Sequence, residues 1–240
     1  MPVTPTGSNF NYSGTELDAL AEAKNYYAWV MRQFDPWLGP TVIEAGAGIG
    51  TFSQFLLDAP AVRKLIAIEP GANTFPHLKS RFASNPRVEV LSGYLSEHYH
   101  SLTADAFVAV NVLEHVAEDT TFLTEARSAV SYGGSLLLFV PALPAIFGSL
   151  DRAFEHHRRY TKNSLRRVIE AAGWTVRRID YMNFPGIAAW FMAGRILNKS
   201  RIAAPEAKAY DRLVVPWLSR VESLMRPPIG SNLVAIATKP

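Results

Sequence analysis

Short apolar runs alternate with helix-like stretches along most of the chain, and this alternation restricts the fold more than any other feature. The runs are apolar along their whole length, which is typical of strands in a parallel sheet that helices cover on both faces. Strands are predicted at Thr41–Ala45, Leu65–Ile68, Val88–Leu91, Phe107–Val110, Ser135–Val140, Thr175–Ile179 and Leu233–Thr238. The sequence therefore predicts an α/β fold: a doubly wound, Rossmann-like and mostly parallel sheet of seven strands.

Helices are predicted before, between and after these strands. Residues 16–34 carry apolar side chains at helical spacing, with a capping-box pair at Ser13 and Glu16 and a stop at Asp35-Pro36. Further helices are predicted at Thr51–Asp58, Asn73–Phe82, Asp119–Val130 and Ser164–Ala172. Gly133-Gly134 is predicted as a turn into the fifth strand.

Composition and charge exclude several classes of protein. The chain has no cysteine, which excludes disulfides, thiolate nucleophiles and cysteine-based zinc sites. Its net charge of +3 is too small to require a polyanion, so no nucleic-acid partner is expected. The longest apolar stretch, Phe184–Gly194, is shorter than the roughly twenty residues of a membrane-spanning helix. The polar start at Met1–Asn9 lacks the features of a secretory signal, and we expect a cytoplasmic protein.

A glycine-rich turn follows the first predicted strand. Gly46, Gly48 and Gly50 alternate after Glu44, and such a turn lets a ligand approach the backbone at the carboxyl end of a strand. A dinucleotide fingerprint would need glycine at Thr51, and Glu44 would place negative charge near a pyrophosphate. Both departures argue against NAD. A carboxylate here favours a ligand that carries an amino group and a sulfonium but no phosphate.

Three further segments complete a resemblance to a known family. Glu69 ends the next strand, where an acidic side chain can accept hydrogen bonds from ribose hydroxyls. Together with the glycine turn, the segment Asn111–Val116 and Gly133-Gly134 before Ser135, it resembles the motifs of class I S-adenosylmethionine-dependent methyltransferases. The resemblance covers almost the whole chain. It implies S-adenosyl-L-methionine as cofactor and S-adenosyl-L-homocysteine as product.

The resemblance also implies which residues bind the cofactor. Gly46 to Gly48 would face its methionine part, Tyr94 and Leu95 would flank the adenine, and Asn111 and Val112 would line the floor. Many relatives have Asp at the position of Tyr94. The expected set is Tyr26, Glu44, Gly46, Ala47, Gly48, Gly50, Glu69, Pro70, Tyr94, Leu95, Asn111 and Val112. For Tyr26, closure over the methionine end and burial in the core both stay open.

Methyl transfer from a sulfonium is an in-line displacement, so the protein mainly aligns the acceptor and excludes water. A hydroxyl acceptor must also lose a proton, for which histidine is a natural base. The candidates are His115, His156 and His157, with Asp151 either orienting an imidazole or only beginning a helical turn. Their spacing matches no metal-binding template, and no metal is predicted.

Asp151 with His156–Thr161, Asn25–Tyr27 and Gly230–Leu233 resembles a bacterial subgroup found in glycan and natural-product biosynthesis. This resemblance implies a small-molecule, glycan-like or lipid-linked acceptor that is methylated at oxygen, with nitrogen and carbon left open. Predicted substrate-binding residues are Arg158, Arg159 and Tyr160, the two arginines as partners for a phosphate or carboxylate.

The expected organisation is one domain over 1–240. It comprises a helical cap at 1–40, a cofactor-binding half at 41–141 and an acceptor-side half at 142–240, which includes an apolar helical insertion at about 184–225. The insertion either roofs the acceptor pocket, pairs two subunits or rests on a membrane surface. Alternative functions are a cofactor-binding protein that catalyses another reaction, an NAD-dependent oxidoreductase and a nucleic-acid methyltransferase.

Overall fold

The computed structural model describes residues 11, 23–201 and 203–240, and it confirms the predicted seven-stranded sheet. Its strands are β1 Thr41–Ala45, β2 Lys64–Glu69, β3 Val88–Ser92, β4 Ala104–Val110, β5 Val130–Pro141, β6 Thr175–Met182 and β7 Asn232–Thr238. They lie in the order β3-β2-β1-β4-β5-β7-β6. β7 runs antiparallel to both of its neighbours, and the other neighbouring strands are parallel. The sheet is therefore doubly wound and mostly parallel, as predicted.

Helices flank the strands and form the C-terminal additions. The α-helices are α1 Lys24–Phe34, α2 Thr51–Asp58, α3 Phe75–Phe82, α4 Leu95–His98, α5 Asp119–Ser128, α6 Ser149–Ala153, α7 Lys162–Ala171, α8 Gly186–Phe191, α9 Ala204–Leu213 and α10 Val215–Leu224. Short 3₁₀ turns include Leu113–His115, and a π-helical turn at Met192–Ile196 continues α8. The predicted start of the first helix at residue 16 and its capping box lie outside the described residues.

The fifth strand departs from its predicted start. It begins at Val130 and runs through Gly133-Gly134, where the sequence predicted a turn. Pairing with β4 jumps from Ala104–Val130 to Ala106–Ser135, so extra residues form a bulge. Gly133 has a φ of +77°, a conformation that glycine adopts without steric cost. The predicted helix over 119–130 ends earlier, at Ser128, because the chain has already entered the strand.

The core lies on both faces of the sheet, as the apolar strands predicted. Neighbouring residues on β1 point to opposite sides: Ile43 packs with Leu123 of α5 and Leu165 of α7, whereas Val42 packs with Trp29 and Phe34 of α1. Successive side chains of a strand alternate between faces, so a uniformly apolar strand needs helices on each.

The register brings the carboxyl ends of three strands together. Ala45 of β1 pairs with Ile68 of β2 and with Ala109 of β4. The loops that follow these strands therefore meet at one edge of the sheet, where ligands bind in folds of this kind. The functional site is expected at this edge.

A buried carboxylate joins the C-terminal helices to the start of α1. The side chain of Asp211 on α9 accepts hydrogen bonds from the backbone N–H of Asn25 at 3.2 Å and of Tyr26 at 2.8 Å. It also accepts from the Asn25 side chain at 2.9 Å. Because the first backbone N–H groups of a helix have no partner within the helix, Asp211 caps α1 from a distant part of the chain.

Replacing Asp211 by Ala should lower the free energy of unfolding by about 1–2 kcal/mol, because the N-terminal amides of α1 lose their anionic acceptor. Urea denaturation followed by circular dichroism measures the change. Asp58→Ala is the matched control, since Asp58 is exposed and bonds only to Gln54 among the hydrogen bonds described. Equal stability of the two variants would contradict the capping role.

Candidate functional site

A large cavity opens at the carboxyl ends of β1, β2 and β4. Its volume of about 1140 Å³ exceeds the roughly 300–1,000 Å³ typical of sites for one small ligand. Walls come from the glycine turn, the loops after β2, β3 and β4, and the helices α1, α8 and α9. There is room for a nucleoside-sized ligand and part of a second molecule.

The glycine turn exposes its backbone to this cavity. Gly46, Ala47 and Gly48 line it, and a Cβ atom on Gly46 would lie 2.5 Å from Cγ2 of Val112. Gly46 and Gly48 have φ values of +66° and +58°. Gly50 lies apart from the cavity lining: it packs against Phe82 and begins α2, so its role is in the turn.

Glu44 lies buried beneath the turn and lines the cavity. The Ser53 hydroxyl donates a hydrogen bond of 2.5 Å to its carboxyl group. Burial raises the pKa of Glu44 to about 8, which outweighs the opposing effect of the Ser53 hydrogen bond. At neutral pH the group is mostly protonated, and a cationic ligand would favour its ionisation.

The Glu69 carboxylate holds the turn from the other side. It accepts hydrogen bonds from the backbone N–H of Gly48 at 2.6 Å and of Gly71 at 2.8 Å, and from the Thr74 hydroxyl at 2.7 Å. A carboxylate has about four acceptor positions, so one stays open for a hydroxyl. A ligand that presents two hydroxyls to Glu69 must displace one of these donors.

The remaining residues predicted to bind cofactor also line the cavity, namely Tyr26, Pro70, Tyr94, Leu95, Asn111 and Val112. Tyr26 fits both interpretations offered by the sequence. Its ring meets Phe139 and Trp29 edge to face, while its hydroxyl donates to Oδ1 of Asn232 at 2.9 Å. It belongs at once to the core and to the cavity wall.

A cluster of titratable side chains, Glu114, His115 and His156, lies in the same cavity. One candidate ligand atom from each residue lies within 4.8 Å of the other two, and the imidazole rings of His115 and His156 meet edge to face at 4.8 Å. The backbone joins the two loops that carry them, because the N–H of His157 donates to the carbonyl of Glu114 at 2.8 Å. His157 also lines the cavity.

Asp151 orients His156 from behind the cavity wall. Its buried carboxylate lies 3.0 Å from Nδ1 of His156 and accepts from Nε of Arg159 at 2.6 Å. Trp190 Nε1 and the backbone N–H of Gly148 donate to the other oxygen, each at 2.9 Å. Burial opposes ionisation, yet these hydrogen bonds and the Arg159 charge lower the pKa of Asp151 to about 2. Asp151 does not line the cavity itself. It acts on the cavity through the side chains that it holds in place.

Burial shifts the pKa values of two members of the cluster. Burial raises the pKa of Glu114 to about 7, and neither of its carboxylate oxygens has a hydrogen-bond partner within the part of the chain that the structure describes. Burial, reinforced by His156 and His157, lowers the pKa of His115 to about 3, although the backbone carbonyl of Glu155 accepts a hydrogen bond from its ring. His115 is therefore neutral at physiological pH.

The structure does not bring the predicted substrate-binding residues to the cavity as a set. Arg158 pairs with Asp119 at 2.9 Å, and the buried Tyr160 hydroxyl donates to the same carboxylate at 3.0 Å. Neither lines the cavity, because both are used to fasten the loop to α5. Arg159 does line it, but its charge is paired with Asp151 and its guanidinium stacks on Trp190 at 4.6 Å.

Glu114 and Trp190 are among the cavity residues that the sequence did not predict as site candidates. Glu114 lies within the segment Asn111–Val116, and its signal is an acidic residue shortly after the end of a buried strand. The sequence placed Trp190 only in the apolar insertion. In the structure, some residues of this insertion line the cavity and others are exposed. Trp190 lines the cavity, whereas Leu213 and Trp217 are 78% and 65% exposed.

Comparison with known proteins identifies the family of the chain. A family model described as "Methyltransferase domain" matches residues 16–179, about two thirds of the chain. The chain belongs to this family. The cofactor that the resemblance implies is S-adenosyl-L-methionine. The structure fits this cofactor, because the bare backbone at Gly46 and the carboxyl groups of Glu44 and Glu69 offer the contacts that its methionine and ribose parts require.

Two curated proteins share part of the sequence of this chain. A protein of Mycolicibacterium smegmatis, described as a probable S-adenosylmethionine-dependent methyltransferase, is 27% identical over 141 residues, 58% of this chain and 53% of the relative. Ribosomal RNA small subunit methyltransferase A of Alkaliphilus metalliredigens is 43% identical over 67 residues, 28% and 23% of the two chains. The matches thus span about half and a quarter of these relatives.

Solved structures show the same fold. The SAM-dependent methyltransferase from Archaeoglobus fulgidus superposes with a TM-score of 0.59 at 15% identity, covering 90% of this chain and 94% of that one. Among the described residues of the methyltransferase, no helix is both long and apolar enough to span a membrane.

Cofactor affinity should rise as the pH increases from 6 to 8, because the free protein must release the Glu44 proton before its carboxylate can face a cationic ligand. Each unit by which binding lowers the Glu44 pKa adds a factor of about ten. Calorimetry with S-adenosyl-L-homocysteine, in buffers of different ionisation enthalpy, measures the affinity and the proton released. Glu44→Gln should remove this pH dependence, and Glu89→Gln, on the exposed side of β3, should keep it. A Glu44→Gln profile as steep as that of the wild type would refute the assignment.

Proposed function

We propose that the methyltransferase transfers the methyl group to an oxygen atom of an uncharged, hydroxylated acceptor of the small-molecule or glycan-like class. The observation that carries this proposal is the Glu114–His115–His156 cluster in the cofactor cavity, with His156 oriented by the buried Asp151. Amine acceptors can be neutral at physiological pH and then attack without such help. A hydroxyl must lose its proton during transfer, so it benefits from groups of this kind.

Different residues would act on the cofactor and on the acceptor. The glycine turn, Glu44 and Glu69 would hold the cofactor, and the cluster would orient the acceptor hydroxyl and remove its proton. When bound, S-adenosyl-L-methionine supplies a methyl carbon whose bond to sulfur breaks, the electron pair staying on sulfur, as the acceptor oxygen forms its new bond. The displaced proton leaves through the cluster to solvent, which balances the step.

The ion pairs of the two arginines predicted to bind an anion favour an uncharged acceptor. The two arginines predicted to bind a phosphate or carboxylate are both occupied, Arg158 by Asp119 and Arg159 by Asp151. The Arg159–Asp151 pair is buried and hydrogen-bonded, so it is costly to break, whereas the Arg158–Asp119 pair is partly exposed and lies outside the cavity lining. Trp190 offers an indole ring in the cavity, a surface suited to an apolar or sugar-ring face.

His156→Ala should lower kcat for the true acceptor by about 10²–10⁴-fold, the usual contribution of groups that move a proton in catalysis. The affinity for S-adenosyl-L-homocysteine should stay within about twofold, because the side-chain hydrogen bond and ring contacts described for His156 are with Asp151, His115 and Phe154, which are not expected to hold the cofactor. Methyl-labelled cofactor is incubated with sugars, phenols and amines, and labelled products are detected by mass.

His77→Ala is the matched control, because His77 lies exposed on α3 away from the cavity. Asp151→Asn should also reduce kcat. Its KM should change less than its kcat, as expected for a residue that positions His156. Labelled amines without labelled hydroxyl compounds, or full activity of His156→Ala, would overturn the proposal.

A further inference from the structure

The Glu114–His115–His156 cluster has the chemical make-up of a metal site, although the spacing of these residues in the sequence predicts none. It combines one carboxylate with two imidazoles, and candidate ligand atoms lie within 4.8 Å of one another. In a tetrahedral site with bonds of about 2.1 Å, two ligand atoms lie about 3.4 Å apart. Coordination therefore requires the separations between the candidate ligand atoms to shorten by up to about 1.4 Å.

The Glu114 carboxylate provides a second and independent observation. The residue is fully buried, and neither of its oxygens has a hydrogen-bond partner among the described residues. Buried polar groups in proteins are almost always paired, and an unpaired carboxylate is among the most costly exceptions. A cation between Glu114 and the two imidazoles would remove this cost.

Both histidines have the outer partners that metal-binding histidines usually have. Asp151 engages Nδ1 of His156 at 3.0 Å, which leaves Nε2 to act as a ligand. The backbone carbonyl of Glu155 accepts a hydrogen bond from the ring of His115. Such partners fix the tautomer and the ring orientation of a ligating histidine. Arg159, Trp190 and Gly148 in turn hold Asp151 in place.

We propose that Glu114, His115 and His156 form a binding site for one divalent first-row transition-metal cation of the zinc type. Two imidazoles and one carboxylate suit zinc and its neighbours in the series and are poor ligands for magnesium or calcium. Three protein ligands leave a coordination position open toward the cavity, where a further oxygen ligand can bind.

The open position connects the metal site with catalysis. A cation there would bind the acceptor hydroxyl and lower its pKa, so that the three side chains act as ligands and the proton leaves to solvent. This catalytic use rests on the proposed O-methylation. The binding site itself rests only on the geometry of the cluster.

The test uses the full chain without a polyhistidine tag, freed of metal by chelation and titrated with Zn²⁺ in a calorimeter. We expect one equivalent to bind, with no thiol to compete because the chain lacks cysteine. Glu114→Gln and His156→Ala should each weaken the affinity by at least about 100-fold, and Asp151→Asn by about 10–100-fold. His77→Ala should bind as the wild type does.

Wild-type protein alone supplies a check that does not depend on the folding of any variant. Loading with Co²⁺ should give a visible absorption band that Zn²⁺ removes, and circular dichroism with S-adenosyl-L-homocysteine binding verifies that each variant is folded. Absence of the band, absence of stoichiometric zinc uptake, or folded Glu114→Gln and His156→Ala variants that bind zinc like the wild type would each overturn the metal site.

Metal binding and methyl transfer are measured separately, which keeps the two proposals apart. Zinc uptake is measured without cofactor or acceptor. If zinc binds as described but no hydroxyl compound is methylated, the proposed acceptor class fails and the metal site stands. If hydroxyl methylation continues undiminished in metal-free protein with EDTA, the catalytic use of the metal is overturned and the proposed function stands.

Discussion

The acceptor side of the molecule depends on the hydrogen bonds that the buried Asp151 carboxylate accepts. Its four donors come from a loop backbone, two loop side chains and a helix of the insertion, and together they hold Gly148, His156, Arg159 and Trp190 around one point. A carboxylate so fully hydrogen-bonded offsets the cost of its burial, whereas loss of one donor would leave charge exposed to an apolar interior. The His156 ring, the Trp190 indole and the Arg159 charge are thus positioned together.

The cofactor side is organised by the same principle with a different carboxylate. Glu69 links the glycine turn to the loop after β2, as Asp151 links the loop after β5 to the insertion. Both loops follow strands that run parallel in one sheet, so they lie at the same edge, with the ends of β1 and β4 between them. Protein side chains at one sheet edge can therefore serve two ligands without any rearrangement of the core.

Most of the fold could be predicted because it depends on local signals. Uniformly apolar strands predicted helices on both faces of the sheet. The glycine turn and Glu69 predicted, from the sequence alone, the edge of the sheet at which a ligand would bind. The bulge at Gly133 was missed because a glycine pair signals a turn and a bulge equally well. The cluster was missed because Glu114 and His156 are distant in sequence and are joined by a backbone hydrogen bond between their loops. For the same reason, the engagement of Arg158 could not be inferred from its basic neighbours.

The hydrogen bonds of Glu69 affect how a buried carboxylate stays paired when ligands exchange. A binding protein that buries a carboxylate solely for its ligand is left with an unsatisfied charge each time the ligand departs. Glu69 already accepts a hydrogen bond from the amide of Gly48, so a ribose hydroxyl bound there, as proposed, would replace an existing donor. Under that proposal, exchange of product for cofactor is an exchange of hydrogen-bond donors to one carboxylate, which leaves no charge without a partner.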